Sequence, residues 1–446
     1  VNHTIAALAT PPGRGAIAIV RVSGPQVRAL AVCMLPSVRL RPRYAHYATI
    51  VDERGEAIDR GIVLFSPAPH SYTGEDMLEL QVHGSPVVAR EVIRALLACG
   101  ARLAEAGEFT QRAFMHGKMD LHAAAAVADL IEAETRSAAR AALANLGGGL
   151  ASEVNALRAR FTAIVEACSG AVDFPEEVPD PDRATVLREL DLIVAELHRL
   201  QHEGEVGRLV REGVSVAIVG PPNAGKSSLL NALLGADRAI VSEIAGTTRD
   251  TIEESIAIDS VRVRLVDTAG IREHADRLEA AGIERSRHAL ATARIALLVL
   301  DGSVPLSPEA HALLAQTADR ERVVLFNKAD LGEAGAREAA IPEAISGSAR
   351  EPGTLRAVRA ALARVGWGGE VPDLERPHLA ALREFDAVNV ALAALDAACA
   401  TLRAGEPVDL IVGDLQEAHA ALGHVTGDVA AEDVLTGVFA RFCIGK

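Results

Sequence analysis

Gly220-Pro221-Pro222-Asn223-Ala224-Gly225-Lys226-Ser227 carries the spacing G-x-x-x-x-G-K-S, and its flanks give it meaning. An unbroken apolar run, Val214–Val219, leads into it, and a helix-periodic stretch over 228–234, with Gly235 as its expected stop, follows. Strand, glycine-containing loop and helix together make a phosphate-binding loop. Its glycines let backbone N–H groups turn inward, Lys226 neutralises the terminal phosphates, and the Ser227 hydroxyl can ligate Mg2+. Asn223, Ala224, Gly225 and Ser228 complete the expected phosphate-contacting set. Further apolar runs at Val261–Val266, 295–300 and 323–326 each end at a polar motif. That is the layout of a parallel α/β sheet that meets its ligand at the carboxyl ends of its strands.

The polar motifs narrow the ligand. Asp267-Thr268-Ala269-Gly270 follows the second run, where Asp267 would hold Mg2+ through water and the Gly270 N–H would sense a terminal phosphate. Asn327-Lys328-Ala329-Asp330 follows the last, and Asp330 can accept from two adjacent guanine N–H donors that adenine lacks. Gly246-Thr247-Thr248-Arg249-Asp250 lies between them without periodicity, as a switch would, and Thr248 is the expected second hydroxyl ligand of Mg2+. Ser346-Gly347-Ser348-Ala349-Arg350 fits a closing guanine loop in either of two registers, with Ser348, Ala349 and Arg350 as the contacts. The ordered set predicts a GTP site. Ile271 stands where a glutamine would orient the attacking water, so hydrolysis needs another group; Glu273, Asp276, Glu279 and Glu284 are the nearby acids.

The loop begins only after 219 residues of other sequence. At 446 residues and 49% apolar content the chain is long enough for two or three cored domains. A net charge of −15 excludes a broad electrostatic footprint on nucleic acid, so an RNA partner would need a local basic patch or a second protein. Cys33, Cys99, Cys168, Cys399 and Cys443 are widely spaced, which indicates neither a disulfide framework nor a zinc cluster and fits a reducing, cytoplasmic setting. No membrane span is expected.

Residues 1–117 alternate short apolar runs with turn signals: strands are expected over 15–22 and 61–65, a turn at Asp52-Glu53-Arg54-Gly55, and helices over 26–35 and 86–99. Residues 120–171, interrupted at Gly147-Gly148-Gly149, and 183–201 read as helices, as does the chain from Pro377 onward. Two helical segments therefore flank the nucleotide-binding region, and the economical arrangement is one helical domain with the nucleotide-binding domain inserted into it.

These residues resemble the MnmE (TrmE) family of tRNA-modification GTPases over nearly the whole chain. The signatures are Ala9-Thr10-Pro11-Pro12-Gly13-Arg14-Gly15, Tyr72-Thr73-Gly74-Glu75-Asp76 with Leu78-Glu79-Leu80, Gly107-Glu108-Phe109-Thr110 with Arg112-Ala113-Phe114, and the terminal Phe442-Cys443-Ile444-Gly445-Lys446. The resemblance implies a multi-domain α/β chain: an N-terminal α+β folate-binding and dimerisation domain (1–117), an all-α helical domain in two parts (118–212 and 371–446), and an inserted P-loop Ras-like GTPase domain (213–370). It implies GTP hydrolysis in the carboxymethylaminomethyl-type modification of the wobble uridine, U34, at C5. The chain would act as a homodimer and in a heterotetramer with a flavin- and NADH-using partner (MnmG, also called GidA), with tRNA as substrate.

By position, Arg21, Glu79, Lys118 and Lys446 would contact 5-formyl- or methylene-tetrahydrofolate. Asn223, Ser242, Ile244 and Thr247 would hold K+, while Glu243, Ala245 and Gly246 would line the nucleotide with Thr268 and Ala269. Glu279 would be the catalytic acid acting on water. K+ would neutralise charge developing between the phosphates and drive the GTPase domains of two subunits together. Pro221, Ala106 and the stretch 122–126 depart from the family pattern without touching an assigned ligand, and Cys443 has no role assignable from its chemistry. A one-carbon transferase gated by its GTPase and a switch GTPase for ribosome or RNA assembly are the alternative readings.

Overall fold

The computed structural model describes residues 3–237, 254–259, 261–266, 290–332, 334–335, 341–369, 376–427, 432–440, 442 and 444–446. They fall into two compact units. One comprises residues 1–131, 145–197 and 381–446, and the other 132–144 and 198–380.

The first unit opens with a six-stranded mixed sheet of β1 (Ile5–Leu8), β2 (Ile17–Ser23), β3 (Ala45–Val51), β4 (Ala57–Ser66), β5 (Met77–His83) and β6 (Arg102–Leu103), in the order β3-β4-β5-β2-β1-β6. All pairings are antiparallel except β1 with β6. Alternation sets the faces. In β2, Ala18, Val20 and Val22 are buried while Ile17 is exposed, the period-two pattern of a sheet covered on one side. The cover is α1 (Val27–Met34) and α2 (Pro86–Ala98), whose Leu30, Met34, Val92 and Leu96 pack onto Val20, Leu78, Leu80, Val63 and Ile50. The expected turn at Asp52 is present: Asp52 Oδ1 accepts from the N–H groups of Arg54 and Glu56, at 2.9 and 2.8 Å. One sequence expectation is corrected here. Cys33 ends up against Cys99, 66 residues away, and the two are joined as a disulfide, because each lies near the end of one of the two covering helices.

Helices continue this unit: α3 (Glu108–Met115), then Leu121–Glu132, Gly149–Asp173 and the first half of Arg183–Glu212, and later in the chain Leu382–Arg403, Val412–Thr426 and Glu432–Phe439; the helix Arg136–Leu146 and the remainder of Arg183–Glu212 belong mostly to the second unit. The break expected at Gly147-Gly148-Gly149 is real; Gly148 takes φ +72° and caps the helix that follows. Leu382–Arg403 is the one described helix apolar and long enough to cross a membrane, but Val388, Ala391, Leu395, Ala398 and Leu402 are buried in the helical core.

The second unit holds a six-stranded sheet ordered β12-β11-β10-β7-β9-β8, from β7 (Val214–Val219), β8 (Glu254–Ile258), β9 (Val261–Val266), β10 (Ile295–Asp301), β11 (Arg322–Asn327) and β12 (Ile345–Ser346). It is parallel except for the antiparallel pair β8–β9. Its central strands are apolar on both faces. Val216, Leu297 and Leu325 belong to one core layer, and Ala217, Leu298 and Phe326 to the other, as a doubly covered parallel sheet requires. The helix after β7 runs Lys226–Asp237, so Gly235 lies inside it; Leu229, Leu230 and Leu233 bury against the sheet, and that packing outweighs the poor helix propensity of one glycine. Strands β1, β3, β5, β6, β8 and β12 were not expected. β1, β6 and β12 are short and β3 and β8 lie at sheet edges, whereas β5 is an interior strand whose alternating Leu78, Leu80 and Val82 carry a period of two that the sequence reading passed over.

Candidate nucleotide-binding site

The loop between β7 and the helix Lys226–Asp237 lies at the carboxyl end of the central strands, where the sequence places a ligand. Asn223 adopts φ +61° and Gly225 φ +99°, the left-handed conformations that let successive N–H groups face one concavity. Lys226 Nζ donates to the carbonyl oxygens of Gly220 and Pro221, at 2.6 and 2.8 Å. Burial holds the Lys226 ammonium below the usual lysine range, with Glu309 partly opposing that shift. Ser227 and Ser228, in the first turn of the helix, are exposed. The ammonium is thus bent back over its own loop, onto two neutral carbonyl oxygens.

The end of β11 approaches the same loop. Asn327 is 3% exposed; its Nδ2 donates to Ala224 O and its Oδ1 accepts from Ala349 N, each at 2.8 Å. Ala329 N donates to Gly347 O at 3.1 Å, and Ser348 N to Thr354 Oγ1 at 3.1 Å. The phosphate loop, the Asn327–Asp330 stretch and the Ser348–Arg350 stretch are therefore one hydrogen-bonded body, with Asp330 and Arg350 exposed at its surface. Sequence reasoning missed Asp301, which ends β10 and bonds Lys328 Nζ through Oδ2 at 2.6 Å; its only sequence signal is an acid closing an apolar strand. Ser242, Glu243, Ile244, Ala245, Gly246, Thr247, Thr248, Asp267, Thr268, Ala269, Gly270, Glu279 and Cys443 lie outside the described residues.

A second polar cluster lies on the N-terminal sheet. Arg21 and Glu79 are register partners on β2 and β5, and Arg21 donates to Glu79 Oε1 from Nε and Nη2, at 3.0 and 2.8 Å. The guanidinium sits 5.5 Å from the centroid of the Tyr72 ring and 5.8 Å from that of Phe109. Its Nη1 is buried without a hydrogen-bond partner among the described residues. The chain's last residues reach this place: Ile444 bridges to Ala106, and the Lys446 carbonyl accepts from Phe109 N at 3.2 Å. Burial, then the positive charge of Arg21, lower the Lys446 ammonium, and Glu79 opposes them. Lys118 donates to Pro69 O at 3.1 Å, and no bond from it to these three is among the described contacts. Behind the cluster, fully buried Arg112 bonds Glu75 and Glu108, both at 2.8 Å, and Ser23 Oγ donates to Glu75 at 2.8 Å. The spacing of Glu108 and Arg112 by four residues was the sequence signal for that network.

Residues 4–118 match the family described as GTP-binding protein TrmE N-terminus, and residues 121–443 match the MnmE helical domain. Over 449 residues, and 99% of both chains, the sequence is 43% identical to the tRNA modification GTPase MnmE of Laribacter hongkongensis (strain HLHK9). Over 454 residues, and 100% of both, it is 42% identical to that of Chloroflexus aurantiacus (strain ATCC 29366 / DSM 635 / J-10-fl). The chain belongs to the MnmE family of tRNA-modification GTPases.

The stretch matched to the MnmE helical domain encloses the phosphate loop, which places the nucleotide-site sheet between the two sets of MnmE helices in sequence. The mixed α/β architecture, with its N-terminal α+β unit, helices and phosphate-loop sheet, agrees with the fold class expected from the sequence.

Proposed function

We propose that this MnmE-family chain hydrolyses GTP at the β7 loop and uses the turnover in modifying the wobble uridine, U34, of tRNA at C5. The observation that carries the reading is the bridge through Asn327, which ties a phosphate loop to two base-selecting stretches in one rigid body. A phosphate entering the loop would replace the two carbonyl oxygens now held by Lys226 with an anionic partner, restoring the charge that burial disfavours. Asp330 would read the guanine N–H donors, with Ser348, Ala349 and Arg350 closing the base site.

Mg2+ would be held by Ser227 and Thr248, and K+ by Asn223 with Ser242, Ile244 and Thr247; Asn223 is exposed within the phosphate loop and carries an amide oxygen of the kind a hard cation takes. These ions would neutralise charge as the phosphates separate. Glu279 would position the water in place of the absent glutamine. The Arg21–Glu79–Lys446 cluster, together with Lys118, would take a 5-formyl- or methylene-tetrahydrofolate: Arg21 Nη1 lacks a partner among the described residues and two cations lie near one carboxylate, which suits an anionic, pterin-bearing ligand. The reading includes a cytoplasmic homodimer working with the flavoprotein partner.

The decisive experiment measures GTP hydrolysis in K+ and in Na+ together with wobble-nucleoside mass spectrometry of cells lacking the protein. Several-fold faster turnover in K+, its loss in Glu279→Ala with nucleotide binding retained, and a missing U34 modification are expected. An unchanged nucleoside profile removes the tRNA assignment, and equal rates in the two salts remove the cation role.

A further inference from the structure

Asp301 closes β10 and is the register partner of Asn327 at the end of β11. Its two carboxylate oxygens have different work. Oδ1 accepts from Ser303 N at 3.0 Å and from Ser303 Oγ at 2.6 Å, fixing the turn that leaves the strand, while Oδ2 accepts from Lys328 Nζ at 2.6 Å. Lys328 has φ +64°, a conformation that side-chain-bearing residues rarely adopt and that persists where surrounding contacts impose it. Four contacts surround it here. The Asn327 side chain is locked by Ala224 through Nδ2 and by Ala349 through Oδ1, the Gly302 N–H donates to Asn327 O at 2.8 Å, and the Lys328 ammonium is anchored on Asp301.

The pair is part-exposed, with side-chain accessibilities of 30% for Lys328 and 27% for Asp301, so as an ion pair it adds little to global stability. What it does fix is one geometry: the four carbons of the Lys328 side chain are held between the backbone of the base-selecting stretch and the end of the neighbouring strand. Two residues further on stands Asp330, whose carboxylate must meet two guanine donors at once. Such a two-point contact fails when its backbone shifts by an ångström.

We propose that Asp301 is a positioning residue for guanine selection, acting through Lys328 to hold the Asn327–Asp330 backbone in its base-reading conformation before nucleotide arrives. The role rests on the reading of this stretch as the guanine site. Its binding benefit is preorganisation: the free protein already holds the conformation that the base requires.

The test uses the full-length chain and a fluorescent GTP analogue displaced by GTP, ITP or ATP. ITP lacks the guanine 2-amino group, so the GTP-to-ITP ratio reports the Asp330 contact itself. Asp301→Asn keeps the shape and one acceptor oxygen for Ser303 while removing the charge that anchors Lys328. It is expected to weaken GTP about tenfold and to shrink the GTP-to-ITP ratio, with the melting temperature unchanged. In a Lys328→Met background the same substitution should add nothing, because the two side chains act as one unit. Wild-type affinity and ratio in Asp301→Asn would overturn the proposal, as would full additivity with Lys328→Met, or a lowered melting temperature with the ratio intact. A wild-type protein with no preference for GTP over ATP would instead overturn the guanine-site reading, and this role with it.

Discussion

Asn327 donates from Nδ2 to the Ala224 carbonyl oxygen at 2.8 Å, across 103 residues of sequence. The same side chain accepts from Ala349 N on its other side, and it is almost fully buried. Replacing it with alanine would strand a buried carbonyl and a buried N–H together. That costs roughly 2–4 kcal/mol, since leaving each group unsatisfied costs more than the net value of its bond. Asn327→Ala should therefore lower the urea midpoint of the nucleotide-site unit and abolish measurable GTP binding. Asn327→Asp should do nearly as much harm, because it sets a second acceptor against Ala224 O. Denaturant unfolding with nucleotide titration on both variants checks this.

Gly225 sets a second, purely steric constraint on that bond. It sits at φ +99°, and a Cβ there would collide with Asn327 Nδ2. Gly225→Ala is expected to eliminate nucleotide binding by pushing Asn327 off the Ala224 carbonyl, with a destabilisation of about 1–3 kcal/mol from strain and lost bonding. Gly235→Ala has open space at the Cβ position and lies within a helix, so it should leave binding intact and stabilise by up to about 1 kcal/mol. Calorimetry of the two alanine variants side by side separates the site from the scaffold.

The contrast between those glycines shows what the sequence could and could not carry. The phosphate loop was legible because its chemistry demands fixed residue types at fixed spacing, and because Val214–Val219 and the following apolar residues supplied the strand and helix around it. Gly235 was misread as a stop because local propensity gives no hint that Leu233 is fully buried against the sheet. Strand β3 escaped notice because it is an edge strand that buries only Ala48, Ile50 and Val51, all near one end. The pairing of Cys33 with Cys99 depends on two helices docking on the same sheet face, a tertiary fact with no spacing signature. Arg21, Glu79 and Lys446 were named from family signatures, but their convergence requires the chain terminus to return to the first sheet, which no local pattern encodes.

That convergence gives a pH prediction. Burial and Arg21 lower the Lys446 ammonium below its ordinary value of 10.5, so it loses its charge earlier in an alkaline titration than an exposed lysine would. On the proposed folate reading, a carboxylate bound to that ammonium would favour the protonated form. Affinity for 5-formyl-tetrahydrofolate should therefore be highest where Lys446 is charged and fall as the pH rises through its depressed pKa. Lys446→Met should weaken binding about tenfold and flatten the alkaline fall, whereas Glu79→Gln should weaken it without removing the pH dependence. Isothermal titration across the alkaline range tests both outcomes.

The helical part of the first unit holds a titratable pair of its own. His122 Nδ1 and Glu384 Oε1 are 3.0 Å apart with both side chains essentially inaccessible, joining the helix Leu121–Glu132 to the start of the helix Leu382–Arg403. Glu384 also accepts from Arg383 Nη2 at 2.9 Å and from Ala381 N at 3.1 Å, which fixes its carboxylate at the helix start. Burial pushes the His122 imidazole down, but the charge and hydrogen bond of Glu384, helped by Asp120 and Asn145, outweigh it and raise the folded pKa above the ordinary 6.5. A raised histidine stabilises the fold fully below its unfolded pKa of about 6.5, and that contribution is lost as pH climbs through the folded value. Unfolding free energy measured in urea should thus decline across a window that opens near pH 6.5 and extends upward. Glu384→Gln should be less stable than the wild type at pH 6, because His122 loses its counter-charge and must give up its proton to stay in the core. It should also lose the decline, since His122 would then titrate below 6.5 in the folded state. A wild-type stability that instead rises with pH from 6 would show that His122 stays neutral in the core and would overturn the charged pair.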